Sequence, residues 1–354
     1  MNRINTDAIR EDAEALFADS GETGSDADGV GFLFKIQTAS KWIADAQTRP
    51  APKMLFGEFW YEGEVCILFA DTNVGKSILA VQIADAISRG ASIEGLRLET
   101  GPQKVLYFDF ELSDKQFEAR YSDKMPGSDY YSNPFPFDPN FLRAEIDTEA
   151  EIDHTFADFE AYLNYSLEAA ITAHGAKILI IDNLTYLKNE TERAKDALPL
   201  MKFLKRLKAK HGLSILALAH TPKRDQSKPI SRNDLQGSKM LINFCDSSFA
   251  IGESCKEKGL RYLKQIKVRN AEMRFDSENV VLCQVSKPEN FLNFELAGYG
   301  SEREHLKVLS DDDRESRDMR IIELGNEGLS QREIGERLGI SAMTVGRVLK
   351  KARA

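Results

Sequence analysis

The chain has 354 residues, 42% of them apolar, and carries 56 Asp and Glu against 47 Lys and Arg for a net charge of −9. That length exceeds one average domain and predicts a large core with an appendage. No apolar run approaches the roughly 18–20 residues of a membrane span. The acidic balance excludes a general attraction to nucleic acid, so any DNA contact must come from local basic loops or a small basic module.

Residues 1–30 are rich in Asp, Glu, Ser and Gly and predict a disordered tail around one short amphipathic helix. The opening MNRINTDAIREDAEALFADS is acidic and lacks the apolar stretch of an export signal. Cys66, Cys245, Cys255 and Cys283 form no CxxC pair, which points to a reduced, cytoplasmic compartment and away from a zinc module.

From Phe32 onward, short apolar runs alternate with helical patterns. VCILFA (65–70), KVLYFDF (104–110), KILIID (177–182) and LSILALA (213–219) are almost continuously apolar, as strands buried on both faces of a mostly parallel sheet must be. Helical segments at 77–89, 155–173 and 194–210 lie between them, and this alternation predicts a doubly wound α/β domain over residues 31–299. SFAIG (248–252), LRYLKQIKV (260–268) and VVLCQV (280–285) extend the sheet as antiparallel or edge strands. Two stretches interrupt the pattern. GSDYYSNPFPFDPNF (127–141) reads as an ordered aromatic loop, and KRDQSKPISRNDLQG (223–237), polar and basic, reads as a mobile one. Residues 300–316, including SEREHLKVLSDDDRES, read as a charged linker.

ADTNVGKS, residues Ala70, Asp71, Thr72, Asn73, Val74, Gly75, Lys76 and Ser77, follows a strand and opens a helix at Ile78. This is the context of a phosphate-binding loop, although its first position is Ala where the usual pattern has Gly. Loop amides and the helix N-terminus can surround the β-phosphate of ATP. Lys76 can reach the β- and γ-phosphates, and Ser77 can bind Mg²⁺. Ala70 is tolerable there provided its φ is negative. Leu79, Ile83 and Ile87 then recur at helical spacing, with Gly90 as C-cap.

In KILIIDNLTYL, Asp182 ends a strand and can hold Mg²⁺ through its water shell. The next residue is Asn183, whereas NTPases of the AAA+ type place a water-polarising Glu there, so that type fits poorly. The base must come from elsewhere. In VLYFDFELS, Asp109 and Glu111 share one face of a strand, and Glu111 lies nearer the end where α/β sheets bind ligands. Glu111 is the candidate to orient the attacking water and Asp109 its rival. A strand-end carboxylate that caps a neighbouring helix is the plainer alternative. His220, ending the strand of LALAHTPKR, can bond the γ-phosphate and report its loss to the loop that follows.

Together GKS, Glu111, Asp182 and the HT-K segment resemble a RecA-type ATPase of the DnaB/RepA hexameric-helicase group, over roughly Ala39 to Phe294. The resemblance implies a homo-hexameric ring with nucleotide between subunits and a basic finger supplied in trans, matched here by Lys267 and Arg269 of KQIKVRN. Lys264 and Arg274 are possible substitutes, and a solvated basic strand face is the plainer reading. It also implies that loops at Lys188–Asp196 and Lys223–Gly237 grip single-stranded DNA in the channel. The second loop carries Lys223, Arg224, Lys228 and Arg232, suited to tracking phosphates. Tyr186 is the one aromatic beside the first.

The last residues, 317–354, change character, with eight Lys or Arg against five Asp or Glu. In GLSQREIGERLGISAMTVGRVLKK, Ile334, Leu338, Ile340, Val345 and Val348 fall on the buried positions of a helix-turn-helix. Gly335 allows the helices to approach and Gly339 makes the turn. Met319, Ile321, Ile322 and Leu324 supply a first helix. The second helix of the motif, about Ala342–Lys351, would enter the major groove of duplex DNA. Ser341, Ala342, Met343 and Arg347 would face bases there, with Thr344 beside them and Lys350, Lys351 and Arg353 on phosphates. A small helical bundle for protein contact is the alternative.

The sequence thus predicts a cytoplasmic Mg²⁺-dependent ATPase, RecA-like, that couples hydrolysis to DNA translocation or unwinding, as in the replicative helicase of a plasmid or mobile element. An ATP-switched, site-specific DNA-binding regulator and a RecA-like recombination mediator are the rival functions.

Overall fold

The computed structural model describes residues 34–150, 155–187, 194–221, 224–235, 239–308, 311–338 and 340–352. The expected tail, Lys223, Gly237, Gly339, Arg353 and residues 188–193 of the first expected DNA loop lie outside them. The chain divides into two units, Met1–Ala51 and Pro52–Ala354. In the first, helix α1 (Ala39–Gln47) starts at Thr38, whose hydroxyl accepts the N–H of Lys41, and it buries none of its residues.

The second unit opens with a hairpin of β1 (Met54–Phe56) and β2 (Trp60–Tyr61). The strands that follow are β3 (Val65–Ala70), β4 (Val105–Asp109), the short pair β5 (Asp123–Lys124) and β6 (Tyr131–Ser132), β7 (Phe141–Ala144), β8 (Ile178–Asp182) and β9 (Ser214–His220). After them come β10 (Ser247–Glu253), β11 (Leu260–Lys267), β12 (Val280–Ser286) and β13 (Asn293–Gly300). Nine of these form one sheet in the order β13-β12-β11-β10-β3-β9-β8-β4-β7. From β10 to β7 every neighbouring pair is parallel, and β11, β12 and β13 continue it antiparallel.

Helices cover both faces, which is why the central strands are apolar at every position. Cys66, Leu68 and Ala70 of β3 point to the side packed by Leu79, Ile83 and Ile87 of α2 (Lys76–Arg89). Val65, Ile67 and Phe69 point to the other side. There they meet Leu167 and Ile171 of α4 (Phe159–His174), Leu204 and Leu207 of α5 (Ala194–His211), and Leu241 and Ile242 of α6 (Lys239–Phe244). Gly90 ends α2 in a left-handed conformation, φ 68°, as expected. Helix α3 (Asp114–Arg120) follows β4 and begins with a capping box between Ser113 and Gln116. The architecture is the expected doubly wound, mostly parallel α/β sheet.

At the C-terminus α7 (Asp311–Asn326), α8 (Gln331–Leu338) and α9 (Ala342–Ala352) form a small all-α module around Ile321, Leu324, Ile334, Val345 and Val348. Leu338, Ile340 and Ile322 are only partly buried, and Met319, expected in this core, is 58% exposed. A Cβ on Gly335 would lie 2.7 Å from the carbonyl oxygen of Ile340, so the close approach of the helices requires glycine there.

Three segments differ from the sequence reading. The aromatic stretch 127–141 is ordered, with Phe135 and Phe137 packed on Phe291 and Tyr121, yet it also pairs β5 with β6 and supplies the edge strand β7 at its end. Residues 301–308 are no linker. Glu302 is fully buried, and His305, also buried, meets the Ser254 hydroxyl at 2.8 Å. Nor do residues 224–235 behave as a loose loop, since Ile230 and Leu235 are buried in the sheet's second core. Composition marked both stretches as solvated because their charges are plain in the sequence and the partners of those charges are distant in it.

Candidate functional site

The parallel strands bring their C-terminal ends together beside the loop that joins β3 to α2. Ala70 ends β3 as an ordinary strand residue, level with His220 of β9. The loop's two left-handed positions are Asn73 (φ 64°) and Gly75 (φ 112°), so Ala at the first position of ADTNVGKS costs nothing. At Gly75 a Cβ would also lie 2.8 Å from the Phe294 ring. Gln82 of α2 bonds both the N–H and the carbonyl of Phe294 in β13, fixing the helix to the sheet's antiparallel edge. Arg261 donates to the carbonyl of Val74 and steadies the loop from β11.

Lys76 is buried. Its Nζ donates to the carbonyls of Ala70 and Asp71 and to Nδ1 of His220, each at 3.1 Å. Burial lowers its pKa, against the pull of Glu111, Asp182 and Asp71. Because Nδ1 accepts from Lys76, the proton of His220 sits on Nε2 and points to Oε1 of Glu111 at 3.0 Å. The same Glu111 oxygen accepts the side-chain amide of Asn183, whose own oxygen accepts the N–H and hydroxyl of Thr185. The His220 bond holds the Glu111 carboxyl below its ordinary range, so it stands as an anion.

Glu111 and Asp109 do not share a strand face. β4 ends at Asp109, and Glu111 lies in the bend after it. Asp109 is buried, paired with Arg143 of β7 at 2.9 Å, and accepts the N–H groups of Glu111 and Leu112. It shapes the bend, while Glu111 reaches His220.

Asp182 ends β8 beside Asp109 and is wholly buried. Its Oδ2 accepts the hydroxyl of Tyr107 at 2.7 Å, whereas its Oδ1 has no partner among the described residues. Burial pushes its pKa up to about 6, against the opposing pull of the nearby Ser77 and Tyr107 hydroxyls. A buried carboxylate with one bare oxygen beside a serine hydroxyl suits a hard divalent cation, so Ser77 and Asp182 fit Mg²⁺.

Lys267 and Arg269 lie at the other end of the strands. Nζ of Lys267 donates to the carbonyls of Ile242, Asn243 and Cys245 at the end of α6, and Arg269 pairs with Asp246. Neither approaches its own chain's phosphate loop. Of their substitutes, Lys264 is buried against Glu302 and Arg274 pairs with Glu58. In the second expected DNA loop, Arg224 lies near Tyr262, Lys228 pairs with Asp225, and Arg232 stands exposed in a short 3₁₀ turn. Tyr186, expected as a stacking platform, stacks on Phe110 with centroids 4.6 Å apart.

In the C-terminal module the Ser341 hydroxyl accepts the N–H of Thr344 and starts α9. Met343, 85% exposed, shares the outer face of α9 with Arg347 and Lys350, while Thr344 turns partly inward.

The profile of a family described as AAA domain matches residues 34–226, more than half of the sequence. The chain belongs to this family. Its C-terminal residues 305–354, which include the helix-turn-helix, match the profile of sigma-70, region 4. A KaiC-like protein from the hyperthermophilic archaeon Pyrococcus horikoshii OT3 is similar in structure at 14% identity and a TM-score of 0.43, over 66% of this chain and 91% of that one, a likeness too remote to bear on function. No curated protein matches the sequence. Membership of an AAA family comes with Asn, not Glu, after the strand-end Asp. In this member Asn183 is bonded to the Glu111 carboxylate that a neighbouring strand brings.

Three residues at the site escaped the sequence reading. Asn183 was visible only as a missing Glu. Tyr107 looked like one more apolar position of KVLYFDF, and Arg143 lay just past the aromatic stretch 127–141, in residues given no role. No helix among the described residues is long and apolar enough to cross a membrane.

Proposed function

We propose that the protein is a Mg²⁺-dependent ATPase that uses hydrolysis to move along or unwind DNA as a homo-hexamer, in the manner of a RepA-like replicative helicase of a plasmid or mobile element. The observation that carries the ATPase reading is the unbroken polar chain Lys76–His220–Glu111–Asn183 at the strand ends, next to the bare oxygen of Asp182. Mg²⁺ held by Ser77 and Asp182 would neutralise charge on the β- and γ-phosphates. Loop amides from Asp71 to Ile78 cradle the phosphates, and Lys76 exchanges its bond to His220 for one to a phosphate oxygen. Glu111, anionic and aimed by Asn183, accepts a proton of the attacking water. His220, released by Lys76, contacts the γ-phosphate.

Lys267 and Arg269 act on a neighbour's nucleotide, which agrees with their distance from their own loop. The 224–235 loop and residues near Tyr186 contact single-stranded DNA, and α9 places the assembly on a duplex site through Met343, Arg347 and Lys350.

A second reading rests on a specific observation. Lys228 is paired with Asp225 within the chain, which favours an ATP-switched, site-specific DNA-binding regulator over a motor. Strand displacement on duplexes tailed at either end separates the two. Displacement that requires ATP and disappears in Lys76→Ala supports the motor. Hydrolysis without displacement on either tail assigns the protein to the switch.

A further inference from the structure

Glu302 is a fully buried carboxylate outside the nucleotide site, and it collects four donors from three parts of the chain. Its Oε1 accepts the N–H of Ile230 at 2.6 Å and the hydroxyl of Tyr262 at 3.3 Å. Its Oε2 accepts Nζ of Lys264 at 2.5 Å and the hydroxyl of Ser277 at 3.1 Å. Lys264 also donates to the carbonyl of Ile230 at 2.7 Å, so both backbone polar groups of that residue are held. A second bond joins the same two segments, from the N–H of Lys307 to the carbonyl of Gln226. The loop after β9 is thereby tied to residues 302–307, and these precede in sequence the C-terminal module that begins at Asp311.

That loop also borders the phosphate site. Ala70, Asp71 and Val74 of the phosphate loop line a cavity of about 20 Å³ together with Thr221, Arg224 and Ile230. The Thr221 hydroxyl there is buried with no partner among the described residues, while its N–H bonds the Ala70 carbonyl. The positive charge of Arg224 lies near the same Tyr262 hydroxyl that bonds Glu302. Ile230 thus faces the phosphate loop across this cavity and is itself bonded to Glu302.

We propose that Glu302 is a latch through which the nucleotide site controls the helix-turn-helix: triphosphate binding at Lys76 and His220 shifts the loop after β9, loosens the bonds of Glu302 to Ile230 and Tyr262, and frees residues 302–307 with the DNA-binding module they carry. The proposal rests on the ATP site assigned above and holds for motor and switch alike. Linkage then requires duplex DNA on α9 to change nucleotide affinity by the factor that nucleotide changes duplex affinity.

The test is hydrogen exchange of the full chain with and without Mg²⁺ and adenosine 5′-O-(3-thiotriphosphate), beside a fluorescence titration of nucleotide binding. Exchange should rise together in 224–230 and 302–307, at least about fivefold, the lower end of allosteric couplings. In Tyr262→Phe, which keeps the ring and the Lys264–Glu302 pair, nucleotide affinity should hold while the response at 302–307 shrinks. Nucleotide binding with no change at 302–307, or a response that Tyr262→Phe leaves intact, overturns the latch alone. Failure of the wild type to bind nucleotide overturns the ATPase reading and the latch with it.

Discussion

In the ATPase core, the side chains of the site come from the ends of separate strands, and Lys76 and His220 meet across 144 positions of sequence. In the C-terminal module everything from the first core residue of α7 to the exposed face of α9 lies within a few turns of chain. The core therefore depends on a large sheet to place a handful of polar atoms, whereas the module depends on a few apolar contacts to expose a helix. Damage should follow that division. A change at the strand ends should stop chemistry and spare duplex binding, and a change on α9 should do the reverse.

The largest effect tests the division directly. Lys76→Ala and Glu111→Gln should each lower the hydrolysis rate by about 10²–10⁴, the usual contribution of a positioned acid–base group or more. Glu111→Gln should still bind nucleotide, because its carboxylate is bonded to His220 and Asn183 and holds no part of the phosphate loop. Asp109→Asn should behave differently and lose stability by about 3–5 kcal/mol, since it strands Arg143 beside a neutral partner. Steady-state turnover and urea unfolding of the three variants decide the matter. Near-normal turnover in Glu111→Gln, with Asp109→Asn folded but inactive, would reverse the assignment of the two carboxylates.

A smaller effect runs against intuition. Burial raises the Asp182 carboxyl from 3.8 to about 6, so its ionised form costs the folded chain about 3 kcal/mol. Below about pH 4 the group is protonated folded and unfolded, and the cost vanishes. It grows between about pH 4 and pH 6 and is complete above. Asp182→Asn should therefore raise the stability of the metal-free protein at pH 8, lose that advantage near pH 4, and abolish hydrolysis. Thermal melts in EDTA at the two pH values measure it, and an unchanged or lower melting temperature at pH 8 would count against the buried charge.

The same contrast explains what the sequence revealed. β3 runs over the VCILFA stretch that its apolar run marked, because a strand buried on both faces writes its limits in composition. The helix-turn-helix was legible for the same reason, its apolar spacing and Gly335 being local facts. The role of Asn183 was not, because its bond to Glu111 spans 72 positions and depends on β4 and β8 lying side by side. Glu302 was misread for a related reason. A carboxylate in a run of charges looks solvated unless one knows that Lys264, on another strand, neutralises it in the interior. Likewise β7 and β13 emerged only as edges completed by neighbours. Strand-end residues were thus identified one by one, while the bonds between them awaited the topology.

The smallest effects belong to the module. Arg347 is exposed on the outer face of α9, one turn from Met343, and takes no part in the core of Ile334, Val345 and Val348. Arg347→Ala should leave the module folded and weaken duplex binding by about 1–3 kcal/mol, relaxing preference at a base pair the wild type favours. Gly335→Ala attacks the same function from inside. Its new Cβ meets the Ile340 carbonyl at 2.7 Å, and overpacking of that kind costs about 1–3 kcal/mol. Both variants should hydrolyse ATP at the wild-type rate in the absence of DNA. They part under circular dichroism, where only Gly335→Ala should lose helix early on heating. If Arg347→Ala binds every duplex as the wild type does while Gly335→Ala loses a partner protein instead, the module is a protein-docking bundle, and α9 lends its exposed face to something other than a major groove.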